Sequence, residues 1–448
     1  MRLRARWVLP ISGPPIADGE VVVEEGRIAE VRPSRGLPAP DARDFGEAAL
    51  LPGLVNVHSH LDYTVFRGLL DDLAFYPWVR TLNARRAALE ERDWLASASL
   101  GALEAARAGV TTLGDCTATG ASLLACRQAG LRAVVYQEVF GIDEEATVDA
   151  ALADLDARVA GLRRQARGAR IRVGVSPHAP YTVRPALLGA VAAWARERGL
   201  PTCIHAAESP EEARWVRDGS GPFGEMCARR GIRWEPTGSG VVAHLDRAGA
   251  LDDRTLLVHG VQVSTDDARV ARERGAAWAH CPKSNAKLAN GIAPLGLLRG
   301  RANGPTARIG LGSDSVASNN TMDLFEEMRF AVLAHRAIRR RADALDAPTA
   351  LRMATLGGAR ALGWADRIGS LEVGKEADVV AVRLDAATVF PVHDPVSSLV
   401  YAASSRDVAF AAVAGVPTYE EGKGTRQDPA AVLARAAEAA AKLRAWGA

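Results

Sequence analysis

The chain is short of several features that would fix its class at once. Surplus charge is one: 55 Lys and Arg stand against 53 Asp and Glu, a net of +2 over 448 residues. That balance offers no basic face to nucleic acid or to an anionic membrane, and neither partner is expected. Cysteine is scarce, with five residues in no close pairs. An odd, scattered set builds no disulfide framework, so a reducing cytoplasm is the simpler setting. No apolar run is long enough to span a bilayer. The opening stretch MRLRARWVLPISGPP has a basic flank, but Pro10 and Gly13 break it too early for a secretory signal.

What is present is material for a core. Hydrophobic residues make up 48% of the chain, enough for one large domain or two linked ones. From about Leu50 to Ser315, short β-like runs alternate with longer Ala- and Leu-rich segments. Eight runs stand out: LLPGLVNVHSH, GVTTLGDC, RAVVYQEVFG, RIRVGVSPHAP, PTCIHAAE, TLLVHGVQV, AAWAHCPKSN and ARIGLGSDS. Segments between them, such as 95–108 and 186–198, read as amphipathic helices. This alternation implies parallel strands with crossover helices, and eight units fit an α/β fold of the (β/α)8 TIM-barrel type over residues 51–365. A doubly wound sheet is the structural alternative.

The flanks differ. Residues 16–32, 369–384 and 408–420 read as short strands with Gly turns, and neither flank has the apolar length for its own core. Residues 1–50 and 366–448 are therefore expected to combine into one small β-sandwich domain with a closing helix over 428–446. Asp428 suits the N-cap, Pro429 the first helical position, and Gly447 the stop.

Histidine carries the functional signal. In a strand, residues two apart share a face, so His58 and His60 should project together with Leu54 and Asn56. Such a pair can chelate one metal ion. His178, His205, His259 and His280 end the fourth to seventh runs, so six of the nine histidines sit at C-terminal strand ends. A barrel of this type holds its active site there. His244, His335 and His393 read as ordinary. Asp314 ends the eighth run above Gly310 and Gly312, where small residues leave space; facing imidazoles, it reads as a metal ligand or a base. Glu208 follows His205 by three residues and reads either as a helix N-terminal acid or as a proton shuttle.

These motifs resemble the amidohydrolase superfamily, and within it the mononuclear purine-type deaminases. The resemblance rests on PGLVNVHSH, IHAAE, LLVHG, HCPKSNAKLANGIAP, GLGSDSVASNNTMDLFEEMR and GSLEVGKEADVVAV, and it covers nearly the whole chain. It implies that His58, His60, His205 and Asp314 hold the metal, that His259 steadies the attacking water, and that Glu208 moves protons. Asp314 would also act as base. Neither the third nor the fourth run ends in the lysine that bridges two metals in binuclear relatives, so one ion is expected. Three imidazoles and a carboxylate favour Zn2+, and Fe2+ suits the same ligands. The resemblance further implies pocket roles for His178, His280, Ser284 and Asn285, with Trp78 and Glu138 as further substrate contacts. It admits a homodimer.

The implied reaction is hydrolytic release of ammonia from the adenine ring of a modified nucleoside. NNTMDLFEEMR and PHAPY resemble 5′-methylthioadenosine/S-adenosylhomocysteine deaminases. HLD, FYPWVRTL and YQEVFG resemble the aminodeoxyfutalosine deaminases of menaquinone biosynthesis, which is the expected activity. Gln137 and Glu138 stand where an amino-acid carboxylate would want arginine; Arg67, Arg80 and Arg85 are the candidate cations for a benzoate. Another ring deaminase or a triazine chlorohydrolase is the nearest rival, and a non-catalytic barrel scaffold the rival of another class. GSGPFG at 219–224 matches a dinucleotide fingerprint, but it follows a charged helical stretch and contains Pro222. The Pro-Cys-x-x-Cys of the compact zinc deaminases is also missing, since Cys281 in HCPKS has no partner.

Overall fold

The computed structural model describes residues 1–34, 42–143, 147–300 and 308–446. All eight runs contain barrel strands, hydrogen-bonded in chain order: Leu54–Ser59, Val110–Thr117, Arg132–Val139, Ile171–Pro177, Thr202–Ala206, Thr255–His259, Ala277–His280 and Ile309–Leu311. Each neighbouring pair is parallel. The first and eighth strands close the ring through side chains and one peptide. Asn56 Nδ2 donates to Ser313 Oγ at 2.7 Å, the Ser313 amide donates to Asn56 Oδ1 at 3.0 Å, and the Asp314 amide donates to the His58 carbonyl at 2.9 Å. The fold is a (β/α)8 barrel with an added sheet from both termini.

The strands read as near-continuous apolar runs because helices cover one face and the interior the other. Helix Glu91–Arg107 shows why those helices form where they do. Its Ala-rich interior favours helix, a capping box between Glu90 and Asp93 starts it, and Gly109 at φ +75° marks the turn into the next strand. The barrel interior is packed with Val55, Val57, Val134, Tyr136, Leu256 and Val258, and Trp364 and Ile368 join the same cluster from the segment after the last barrel strand.

The first strand departs from simple alternation. Val55 and Val57, not Leu54 and Asn56, belong to the interior core, and Leu54 packs in the outer one. The pairing with the second strand slips between Asn56 and Ser59. That irregularity lets His58 follow Val57 toward the interior. Gly310 and Gly312 make room opposite: a Cβ on Gly310 would lie 2.4 Å from Val57 Cγ1, and one on Gly312 3.0 Å from His58 Cβ. The first run also divides. Ala48–Pro52 pairs in the terminal sheet, and the chain enters the barrel at Gly53, where a Cβ would meet the Thr111 hydroxyl at 2.1 Å.

That terminal sheet has nine strands, five from residues 2–52 and four from residues 379–424. Its strands share one core that includes Leu3, Val21, Ile28, Leu50, Val379 and Phe410. Of the expected strand content in 369–384, only Val379–Arg383 is extended. The closing helix runs Pro429–Ala445, with Asp428 Oδ1 accepting from the Ala430 amide at 2.9 Å; Gly447 lies outside the described residues. Its buried Val432, Ala436, Ala439 and Leu443 complete the packing beside helix Glu91–Arg107, and Lys442 Nζ meets Asp93 at 2.7 Å. The glycine-rich stretch at 219–224 opens helix Gly221–Arg229, with no strand before it. No described helix is long and apolar enough to cross a membrane.

Arg132 ties barrel to sheet. Its guanidinium, 1% exposed, donates twice to Asp378 at 2.9 Å and once to Glu376 at 2.6 Å. Removing one partner of a buried ion pair leaves the other charged and unpaired. Arg132→Ala should therefore destabilise the fold by about 3–5 kcal/mol, read as a lower denaturant midpoint; a change within 0.5 kcal/mol, roughly the surface-substitution range, would contradict this account.

Candidate metal centre and active site

The strand ends bring five side chains to one point at the C-terminal mouth of the barrel. His60 Nε2 lies 3.2 Å from His205 Nε2. Asp314 Oδ1 lies 3.3 Å from His58 Nε2 and 3.6 Å from His60 Nε2. The donor atoms of His58, His60 and Asp314 fall within 4.8 Å of one another, as do those of His58, His205 and His259. Two of these residues sit on strained backbone, His259 at φ +75° and Asp314 at φ +59°. Neither is glycine, and such conformations persist where the surroundings over-determine them.

The donor set fits a cation. His205 Nδ1 lies 2.9 Å from the His178 carbonyl, which only a protonated Nδ1 can satisfy, so its Nε2 carries a lone pair. Nδ1 of His60 is buried without a hydrogen-bond partner among the described residues. Burial and neighbouring imidazoles hold His60 and His205 well below the usual histidine range, so both stay neutral. Burial opposes charge on His58 too, but hydrogen bonds to Asp314 and Cys203 raise it to about 10. A proton on His58 thus supplies the positive charge that Asp314 demands. A divalent ion would supply it better, because converging lone pairs then become ligands.

Asp314, His259 and Glu208 are held from behind. Asp314 Oδ2 accepts from the hydroxyls of Ser284 at 2.6 Å and Ser318 at 3.0 Å, leaving Oδ1 toward the imidazoles. His259 Nδ1 lies 2.8 Å from Asn285 Oδ1 and donates to it, so His259 Nε2 is an acceptor, 3.6 Å from Glu208 Oε2. Burial lowers His259 to about 4. Burial and the charge of Asp314 push Glu208 well above the carboxylate range, so its carboxyl holds a proton. The Glu208 amide is anchored on Glu212 at 2.7 Å.

A cavity of about 460 Å³ opens above this cluster, a size suited to a small ligand. His178, Trp78, Glu138, Glu208, His259 and Asp314 are in its wall. The structure places the remaining expected pocket residues elsewhere. Ser284 and Asn285 stand behind Asp314 and His259, and His280 is fully buried with its Nε2 3.3 Å from His335 Nε2. His335 is therefore less ordinary than its position in the sequence implies. The expected cations also need correction. Arg67 pairs with Glu104, Arg80 is exposed away from the cavity, and Arg85 donates to the Leu443 carbonyl at 3.1 Å. Arg86 and Arg158 line the cavity instead. The helix ends at Arg85 and the following turn redirects the chain, which turns Arg86 inward over the rings of Tyr63 and Trp94.

A model of the amidohydrolase family matches residues 49–418. The chain belongs to the amidohydrolase family. A 5-methylthioadenosine/S-adenosylhomocysteine deaminase of Syntrophobacter fumaroxidans is 36% identical over 406 residues, 89% of this chain and 87% of that one. One from Desulforudis audaxviator is 34% identical over 98% of both chains. The zinc-bound crystal structure of an adenosine deaminase from Xanthomonas campestris matches with a TM-score of 0.86 and 34% identity, over 99% of this chain and 98% of the other. A zinc complex of atrazine chlorohydrolase from Arthrobacter aurescens, at 23% identity and a TM-score of 0.84 over 98% and 99%, shares the fold. This amidohydrolase is a hydrolase acting on carbon–nitrogen bonds.

One supporting residue escaped the sequence reading. Asp115 lies near the end of the second run, and its Oδ1 accepts from the Ser59 hydroxyl at 2.8 Å and the Leu61 amide at 2.9 Å. It therefore clamps both neighbours of His60. Burial and the charge of Asp62 raise Asp115 to about 7. The visible signal was a carboxylate near a strand end, the same signal that marked Asp314. Asp115→Ala should strand the buried Leu61 amide and cost about 1–3 kcal/mol, measured by denaturant unfolding; Asp115→Asn, which retains an acceptor, should recover most of it. Equal stability of both variants with the parent would remove the clamp.

Proposed function

We propose that this amidohydrolase is a metal-dependent hydrolytic deaminase that releases ammonia from the adenine ring of a 5′-substituted nucleoside. The names of relatives spanning nearly the whole chain favour 5′-methylthioadenosine and S-adenosylhomocysteine as that substrate class. The observation that carries the chemistry is the opposition of two carboxyls in one cavity. Glu208 is held protonated, and Asp314 is held ionised by its imidazole contacts, against the effect of its own burial. Two carboxyls driven in opposite directions suit an acid and a base.

In this reading His58, His60, His205 and Asp314 hold one Zn2+ or Fe2+. When bound, such an ion lowers the pKa of a coordinated water from 15.7 to about 7. The chain's own residues do the rest. Asp314 accepts a proton from the attacking water, with His259 Nε2 as a second acceptor. Glu208 delivers its proton to the ring nitrogen beside the amino-bearing carbon, which makes that carbon more electrophilic. Trp78 and His178 frame the base, and Glu138 offers acceptors to donor groups of the sugar.

Aminodeoxyfutalosine, and with it a role in menaquinone biosynthesis, is the second reading. Arg86 favours it. This cation lines the cavity and has no carboxylate within ion-pair distance among the described residues, so a benzoate would suit it.

Ammonia release from methylthioadenosine, S-adenosylhomocysteine, adenosine and aminodeoxyfutalosine should be compared with the zinc-loaded protein. Release from the first two in preference supports the main reading; preference for aminodeoxyfutalosine selects the second; action only on a pyrimidine or triazine rejects both. Glu208→Gln should lower kcat by about 10²–10⁴ with metal content unchanged, whereas His60→Ala and His205→Ala should lose metal. A Glu208→Gln enzyme with parental turnover would exclude Glu208 as proton donor.

A further inference from the structure

Three of the five cysteines, scattered in the sequence, meet in the barrel interior. Cys116, Cys203 and Cys281 all belong to the interior core and are fully buried. Two of them lie directly beneath the cluster at the mouth. Cys116 Sγ is 3.5 Å from Cys203 Sγ and 3.9 Å from His58 Nδ1. The donor atoms of His58, Cys116 and Cys203 all fall within 4.8 Å of one another. Cys116 comes from the second barrel strand and Cys203 from the fifth, so two strands separate them and the sulfurs face each other across the interior.

We propose that Cys116, Cys203 and His58 Nδ1 form a second metal site, selective for a soft, thiophilic cation. With metal–sulfur bonds of about 2.3 Å, two thiolates on one tetrahedral ion stand about 3.8 Å apart. The observed sulfur–sulfur separation of 3.5 Å lies just below that value. Two thiolates with one imidazole select soft ions, whereas the cluster above, with imidazoles and a carboxylate, suits Zn2+ and Fe2+. Binding is balanced by proton release: two S–H bonds and the Nδ1–H bond break, three metal–ligand bonds form, and three protons leave to solvent.

The two sites share one ring. His58 Nε2 faces Asp314 and Nδ1 faces the sulfurs. Soft ions would therefore act on the hydrolytic centre from behind, through the ring that both sites use. This site rests on the barrel geometry alone and stands or falls apart from the substrate assignment. The sulfurs also serve as compact apolar filler, which buried cysteines commonly do. That role by itself gives no metal binding.

The test is titration of the zinc-loaded protein with Cd2+, followed to constant absorbance. One further equivalent of cadmium per chain should bind, with a sulfur-to-metal charge-transfer band in the ultraviolet. Replacement of zinc at the mouth by cadmium gives no such band, because no sulfur stands there. Cys116→Ala and Cys203→Ala should each abolish the extra equivalent and most of the band. Circular dichroism and zinc content report whether those variants are folded. Cys126→Ala/Cys227→Ala, at buried sites outside the interior core, should keep both. Absence of the band in the parent, or its survival in the Cys116→Ala/Cys203→Ala double variant, overturns the site.

Discussion

Two ring nitrogens in contact need a proton or a cation between them, and the mouth of this barrel is built on that need. His60 and His205 bring their Nε2 atoms to 3.2 Å, and the Nδ1 proton of His205 is committed to a backbone carbonyl. Only a proton or a metal ion between them turns this contact from unfavourable to favourable. The supporting groups keep the converging donors in place. Ser284 and Ser318 hold Asp314, Asn285 fixes the tautomer of His259, and Asp115 grips the residues on either side of His60. Metal sites are commonly tuned in this way by groups behind the ligands.

Low polarity of the surroundings then sorts the carboxyls. Glu138, Glu208 and Asp115 are all buried, and burial raises all three. Asp314 is equally buried and moves the other way, because the His58 hydrogen bond and the charges of the imidazoles outweigh desolvation. One pocket thus contains an acid and a base made from the same functional group. What distinguishes them is the contact with His58, which Asp314 has, and the charge of Asp314 itself, which bears on Glu208.

Much of this arrangement was legible in the chain before its fold was known. The eight strands follow from alternation of short β-like runs with helical segments, and His205, His259 and Asp314 were marked by position at strand ends. The facing of the first strand was not legible. Strict alternation placed Leu54 and Asn56 with the histidines, whereas a slip near Asn56 turns Val55 and Val57 inward. Contacts across the barrel were equally hidden. Cys116 and Cys203 are 87 positions apart and meet only because their strands face each other. Ser284 and Asn285 stand behind Asp314 and His259, and a sequence motif cannot distinguish a residue that lines a pocket from one that stands behind its wall. Arg86 rather than Arg85 reaches the cavity because the helix ends between them, and helix ends are uncertain by one or two residues.

The strained residues show how the barrel makes the site possible. Ala207, His259 and Asp314 take left-handed backbone conformations at the ends of the fifth, sixth and eighth strands, at φ +54°, +75° and +59°. Each such residue costs about 1–3 kcal/mol. A hairpin or an isolated helix would relax them. Here each is caught between fixed neighbours. The Asp314 amide donates to the His58 carbonyl at 2.9 Å, the Gly260 amide to the Ala206 carbonyl at 3.1 Å, and the Gln262 amide to the Ala207 carbonyl at 2.8 Å. Those bonds join strands that the packed interior already holds in place. The same ring closure that stabilises the fold therefore bends three strand ends toward one axis, and the donor atoms of His58, His60 and Asp314 fall within 4.8 Å of one another.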